Sequence, residues 1–480
     1  MRFISTRGGE KTTALDAAVK GIAANGGLFV PEKIPAVTDA ELEKMLEMSY
    51  PERVAAILGK FFTELDGAEL SAALEEAYSR FGADPAPLVR ADDGVYMLEL
   101  FHGPTCSSKD MSVAALPYIF KKACGGKSVT VLAATSGDVG KAALELFKDR
   151  AGFKTLVFYP ADGISKMQKL QLVTQEGKNV GVVAVKGSFD DCLSAVKETL
   201  LNCGDQALVT ANSINFAALA PRIAYYFSAY LDMLSSEQLA EGEEVDFFIP
   251  CGNLGNALAA YYAKLMGLPV RRIHCATNEN NALCGFLKNG VFDANRELVK
   301  TTSPNMDVLV PSELERLIFE ISGRDAKLTA KRMKSLAEEG TFCLTENELE
   351  KLNGVFDGGY ATEETCVEAM YDVFTDIGYV MDTNAGCAMK VAHDWYEKNK
   401  KDETKAVIVA ADSPYKFPQD VLYAMTGNDV KDSFKGVKRL HDATAMAVPK
   451  CIKELRDKPV LFSKAVDRKK LADEVAEFLK

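Results

Sequence analysis

The stretch Leu98-Glu99-Leu100-Phe101-His102-Gly103-Pro104-Thr105-Cys106-Ser107-Ser108-Lys109-Asp110 decides how this chain is read. Val95 to Leu100 is a short apolar run that predicts a buried strand, and His102-Gly103-Pro104 ends it. From about Cys106, the spacing of Met111, Ala114, Ala115 and Tyr118 predicts a helix, which Pro117 would bend. Ser107 or Ser108 suits its N-cap. Lys109 then falls in the first turn, where the positive end of the helix dipole disfavours an ammonium ion. A lysine that releases its proton easily is what imine chemistry needs, because only the free amine attacks a carbonyl. Asp110 pushes the other way, and a lysine taken alone is expected at the surface.

Outward from this stretch, strands and helices alternate, which is the pattern of an α/β fold. Val129 to Ala134 predicts a strand, Thr135-Ser136-Gly137-Asp138-Val139-Gly140 a turn, and Lys141 to Phe147 a helix. Lys154 to Tyr159 and Gly181 to Val185 predict further strands, the latter followed by a helix from Phe189 to Leu201. Val245 to Pro250 runs into Cys251-Gly252-Asn253-Leu254-Gly255-Asn256 and an Ala-rich helix to Met266, with Arg272 to Ala276 completing a βαβ unit. Glycines at such a turn let backbone N–H groups point at an anion, so Gly252 to Asn256 is the best phosphate cradle in the chain. Gly125-Gly126-Lys127-Ser128 imitates the end of a Walker motif but precedes a strand, so it reads as a turn, and neither glycine loop matches GxGxxG.

Before the lysine stretch, Met1 to Arg7 predicts an edge strand, and Thr13 to Ala24 a helix capped by Thr13 and ended by Asn25-Gly26-Gly27. Residues 39–81 are helical in pattern, broken internally at Pro51, and Asp84-Pro85-Ala86-Pro87 reads as a linker. Residues 290–380 are charged and helical in pattern, with a capping-box spacing at Ser312 to Glu315. Ala406 to Ala411 predicts a strand, then a loop from Asp412 to Pro418. A terminal helix places Leu471, Val475, Phe478 and Leu479 on one face for docking to the core.

With 480 residues, two or three domains are expected: 1–90, 91–225, 226–440 with a helical insertion at 290–380, and a C-terminal segment 441–480. The 48% hydrophobic and 26% charged residues are those of an ordinary globular protein. The net charge of −12 argues against nucleic acid and anionic membrane as partners. No run approaches a spanning helix and no signal pattern opens the chain, so the cytoplasm is the expected compartment. Eleven scattered cysteines read as small buried hydrophobes, and His102, His274, His393 and His441 show no ligand spacing, so no metal site is expected.

Together, Ile4-Ser5-Thr6-Arg7, Gly26 to Pro31, Phe101 to Lys109, Thr135 to Gly140, Ile164-Ser165 with Gln168, Asn212-Ser213-Ile214-Asn215, Gly252 to Asn256 and Ser413 to Pro418 resemble the threonine synthases that carry an added N-terminal domain. The resemblance implies a fold type II (tryptophan synthase β-like) α/β architecture, with pyridoxal 5′-phosphate held between two lobes and a small N-terminal domain. It implies that Lys109 is the Schiff-base lysine, forming the internal aldimine and shuttling protons. Gly252, Asn253, Leu254, Gly255 and Asn256 would hold the cofactor phosphate, with Asp138 and Ser413 also at the cofactor. The implied reaction turns O-phospho-L-homoserine and water into L-threonine and phosphate. Thr135, Ser136, Ser165, Gln168, Asn212 and Asn215 would meet this small anionic phospho-amino acid through hydroxyls and amides, with Arg222 and Lys416 supplying charge. Each of the uncharged candidates also has a plain reading as a turn or cap. A monomer or homodimer is expected.

Four positions depart from the family pattern. Ser107-Ser108 stands where Ala-Phe is usual, Asn384-Ala385 replaces a histidine–threonine pair, Ala218 an arginine, and Ala411 the threonine that faces the pyridine nitrogen. Arg222, four residues past Ala218, shares its face on a continuous helix, and Ser413 sits two residues past Ala411 on an extended chain. The alternatives are therefore a phospho-lyase yielding a 2-oxo acid, phosphate and ammonia, or a non-catalytic binding homologue.

Overall fold

In the computed structural model, which describes residues 1–202 and 208–480, two large sheets carry the turns singled out above. Among the described residues, one sheet has five parallel strands in the order Ala465–Asp467, Val180–Lys186, Phe153–Pro160, Val129–Ala134, Leu208–Thr210. The other has six, in the order Phe356–Tyr360, Val270–Thr277, Val245–Pro250, Ala406–Ala410, Val95–Glu99, Leu88–Asp92, parallel except for the last pair. Val129–Ala134, Val245–Pro250 and Ala406–Ala410 are buried at every position, as parallel strands covered on both faces must be. Each ends at one of the turns at 135–140, 251–256 and 411–418, and the carboxyl ends of strands are where open α/β sheets bind ligands.

The strand before the lysine turn does not belong to the expected 91–225 lobe. Val95–Glu99 pairs with Ala406–Ala410 in the six-stranded sheet, Leu98 opposite Val409, and Leu100 N–H donates to the Ala410 carbonyl at 2.9 Å. The lysine turn and the 411–413 turn therefore leave one sheet side by side. Likewise Ala465–Asp467, from the C-terminal segment, adds an edge to the five-stranded sheet, and Leu471 and Val475 of the terminal helix are buried.

At the N-terminus Arg2–Ser5 is the central strand, not an edge, of a small antiparallel sheet with Lys11–Thr13 and Phe29–Pro31. Thr13 caps the helix Ala14–Lys20, which stops at Gly21, before the glycine pair. The 39–81 stretch is three helices, Asp39–Leu46, Tyr50–Phe61 and Gly67–Tyr78. Pro51 opens the second, where its missing N–H costs nothing, instead of breaking one. From that helix Arg53 reaches Ser228 at 2.8 Å and Asp232 at 2.6 Å, tying the N-terminal helices to the helix Pro221–Ser235. The capping box foreseen at Ser312 to Glu315 does not form: the Glu315 carboxylate is taken by Thr6 Oγ1 at 2.6 Å and Arg7 at 2.7 and 2.9 Å. Among the described residues, no helix is long and apolar enough to cross a membrane.

Candidate active site

Lys109 opens the helix Lys109–Val113, and the turn before it is pinned to the neighbouring strand end. Ser107 pairs with Asp412, and Ser108 N–H donates to the Ala411 carbonyl at 2.7 Å. Pro117 starts a second helix, Leu116–Ala123, so the lysine helix is only one turn long. Asp110 turns away to accept from Thr105 N–H at 2.8 Å and Thr105 Oγ1 at 2.7 Å, and burial lifts its carboxyl to about 6. Lys109 keeps some surface open to a cavity but lies deep in the molecule. Burial first, then the Arg222 guanidinium, brings its pKa down to about 8, against the pull of Asp412 and Asp138.

The glycine loop opens onto the same cavity. Gly252, Asn253, Leu254, Gly255 and Asn256 line it together with Lys109, Arg222, Ser136, Asp138 and Asn212. Leu254 sits in the left-handed region at φ 65°, immediately before the helix Gly255–Leu265, so the loop turns sharply and presents the helix N-terminus. A Cβ at Gly252 would lie 2.1 Å from the Asn305 carbonyl oxygen, and one at Gly255 would lie 2.6 Å from Arg222 Nη1. Both positions need glycine for close approach. Arg222 Nη1 donates to Asn256 Oδ1 at 3.0 Å, while its buried Nε has no partner, nor has Oδ1 of Asn384, which lines the same cavity. A deep amine, a helix N-terminus backed by a guanidinium, and unpartnered buried polar atoms on residues that line the same cavity suit an anionic aldehyde cofactor.

Residues 2–78 match the family model Threonine synthase N terminus, and residues 80–412 match Pyridoxal-phosphate dependent enzyme. Threonine synthase of Pseudomonas aeruginosa is 32% identical over 437 residues, covering 89% of this chain and 91% of that protein. The chain belongs to the threonine synthase family. Its cofactor is pyridoxal 5′-phosphate. The crystal structure of PLP-bound threonine synthase from Brucella melitensis is similar at TM-score 0.85 and 31% identity, over 100% of this chain and 99% of that one. Human Threonine synthase-like 1 is 32% identical over 89% of this chain, and the chain spans only 61% of that relative's length.

Within this threonine synthase framework, the site residues expected from sequence divide into two groups. Lys109, residues 252–256, Asp138, Ser136, Asn212 and Arg222 meet at the cavity, although Asn212 spends its amide on the Ala134 backbone at 2.9 and 2.7 Å. Arg222 gets there despite a break in its helix, since Phe216–Leu219 and Pro221–Ser235 are separate. The others are placed elsewhere. Thr135 Oγ1 accepts from Gly137 N–H at 2.9 Å, a turn contact. Asn215 caps the helix Phe216–Leu219 and donates to the Ala18 carbonyl at 2.8 Å. Ser165 and Gln168 form a capping box on the helix Lys166–Val173. Ser413 Oγ caps the turn at Tyr415, and the residue lines a different cleft from the lysine cavity.

Lys416 is not a free cation for substrate. It is fully buried, paired with Asp138 and 3.8 Å from Asp412, and these two carboxylates hold its pKa up against burial. Asn305 completes this cluster: its Nδ2 donates to Asp138 at 2.8 Å and Asp412 at 2.9 Å, and its Oδ1 accepts from Gln168 at 3.0 Å. Thus Asp138, Gln168, Lys416 and Asp412 form the buried brace behind the lysine cavity. Lys416→Met, which leaves two buried carboxylates without their cation, is expected to cost about 3–5 kcal/mol in chemical denaturation. Asp412, Asn305 and the apolar walls Phe189, Met306 and Val308 were not found by sequence reasoning. The only local signal for Asn305 is Pro304, which starts the one-turn helix that carries it.

Proposed function

We propose that the protein converts O-phospho-L-homoserine and water to L-threonine and phosphate. The observation that supports this most is a lysine of lowered pKa sharing one cavity with the 252–256 loop and the buried Arg222. Lys109 and the backbone of residues 252–256 would hold the cofactor by its two ends. When bound, the cofactor supplies an electron sink for charge developing at the substrate α-carbon. Lys109, as the free amine, takes and returns protons at the α- and β-carbons. Arg222 holds positive charge beside the loop, where anionic groups gather. Ser136 lines the same cavity and would offer a hydroxyl there.

At pH 7 a lysine of pKa about 8 is about 9% free amine, against about 0.04% for one at about 10.4. The rate of cofactor attachment to the cofactor-free protein is therefore expected to rise with pH to a midpoint near 8, read from absorbance after rapid mixing. A midpoint near 10 would deny the depressed amine.

A second reading is favoured by two wall residues. Asn384 and Ala411 face the cavity where the family usually places a histidine and a threonine, so control of water addition is altered there. In that reading phosphate leaves, no water adds at the β-carbon, and one water instead hydrolyses the released enamine, through its imine, to 2-oxobutyrate and ammonia. Incubating the holoenzyme with O-phosphohomoserine separates the readings: threonine equal to phosphate supports the first, and 2-oxobutyrate equal to phosphate replaces it with the second.

A further inference from the structure

Cys106 stands three residues before Lys109, and Cys451 lies 345 residues further on, in the short helix Lys450–Lys453 of the C-terminal segment. The fold brings their sulfurs to 3.0 Å. Cys106 is held at φ 61°, a conformation that L residues adopt only when their surroundings impose it. Its carbonyl accepts from Ser413 N–H at 3.1 Å, so the thiol projects from a turn locked on both sides. Opposite, Gln171 Nε2 lies 3.9 Å from the Cys451 sulfur and donates to the Thr105 carbonyl at 3.2 Å, which fixes the second thiol against the same turn. Both cysteines line a cleft of about 1060 Å³, a different space from the lysine cavity, and Cys451 is half-buried there. Small solutes therefore reach the pair without passing the catalytic lysine.

We propose that Cys106 and Cys451 are an oxidation site, at which a hydroperoxide joins them in a reversible disulfide that ties the C-terminal segment to the lysine turn. The Cys451 thiolate attacks one peroxide oxygen, the O–O bond breaks, and hydroxide leaves and is protonated to water, giving a sulfenic acid. The Cys106 sulfur then attacks that sulfenic sulfur, forming the S–S bond and expelling a second water as its own proton is lost. Two thiols supply the two electrons that reduce one hydrogen peroxide to two waters. The direction of attack follows from the sulfurs' environments: the contact with Cys451 and then burial favour the protonated Cys106 thiol, while that same contact, with Lys416 and Lys141 nearby, favours charge on Cys451. Bond formation at about 2.05 Å asks the sulfurs to close by about 1 Å.

The test is peroxide titration of the native holoprotein, followed by alkylation and non-reducing digestion. The expected result at one to two equivalents is a single linked peptide containing positions 106 and 451, about 2 Da lighter than the two separate peptides, and lost on dithiothreitol treatment. Cys451→Ser, which lies outside the lysine cavity, is expected to keep the cofactor absorbance of the parent and to need at least tenfold more peroxide before Cys106 resists alkylation. Full alkylation of both cysteines after peroxide treatment, or a linked peptide that forms only after denaturation, overturns the proposal.

Discussion

Replacing Lys109 by alanine is expected to leave a folded protein that binds pyridoxal phosphate weakly, does not attach it covalently, and turns over phospho-substrate about a thousandfold more slowly or worse. The magnitude follows from the proposed role: a positioned acid–base group contributes roughly 10² to 10⁴ in rate, and in the proposed function the same amine would also anchor the cofactor. Folding is not at issue, because the lysine turn is held by its backbone, through Ser108 and Ala411, and by Asp110 through Thr105. Lys109→Arg should be no better, since a guanidinium stays protonated and cannot attack a carbonyl. Turnover within tenfold of the parent in Lys109→Ala would remove this residue from the chemistry.

Gly252→Ala is the second large effect. The new Cβ would fall 2.1 Å from the Asn305 carbonyl oxygen, with further backbone atoms of Asn305 and Met306 behind it. Backbone cannot swing aside as a flexible side chain can, so either the 251–256 turn or the 304–306 turn must move. Moving the first would spoil the proposed phosphate cradle, and moving the second would disturb Asn305 where it joins Asp138 to Asp412. Overpacking of this kind costs about 1–3 kcal/mol, so cofactor affinity should weaken by about ten- to a hundredfold in equilibrium dialysis. Gly290→Ala is a comparison of different origin, since that glycine ends a helix at φ 74° with its nearest neighbours at 3.5 Å. It should lower stability without a matching loss of cofactor affinity. An equal loss in both variants would show that Gly252 acts through general stability alone.

The elements that sequence revealed best are those whose local pattern is also their tertiary role. Val129–Ala134 and Val245–Pro250 are mostly apolar and buried throughout because both faces are covered, and the glycines at 252 and 255 stand where the Asn305 backbone and the Arg222 side chain approach closely. What stayed hidden depends on contacts between distant stretches. Lys416 reads as a free cation until Asp138, 278 residues away, is seen against it. Asn305 lies in a stretch that reads only as charged and helical in pattern, and its value comes from partners 167 and 107 residues distant. Ser165, Gln168 and Asn215 carry the residue types of a polar binding site, yet caps use the same types for the same hydrogen-bonding reason. The lobe division slipped because Val95–Glu99 pairs with a strand more than 300 residues later, which no local spacing encodes.

The most direct test is to reduce the holoprotein with borohydride, digest it and locate the pyridoxyl group by mass spectrometry. The lysine cavity described above predicts a single modified residue, Lys109. A pyridoxyl group on any other lysine, Lys416 included, would contradict it.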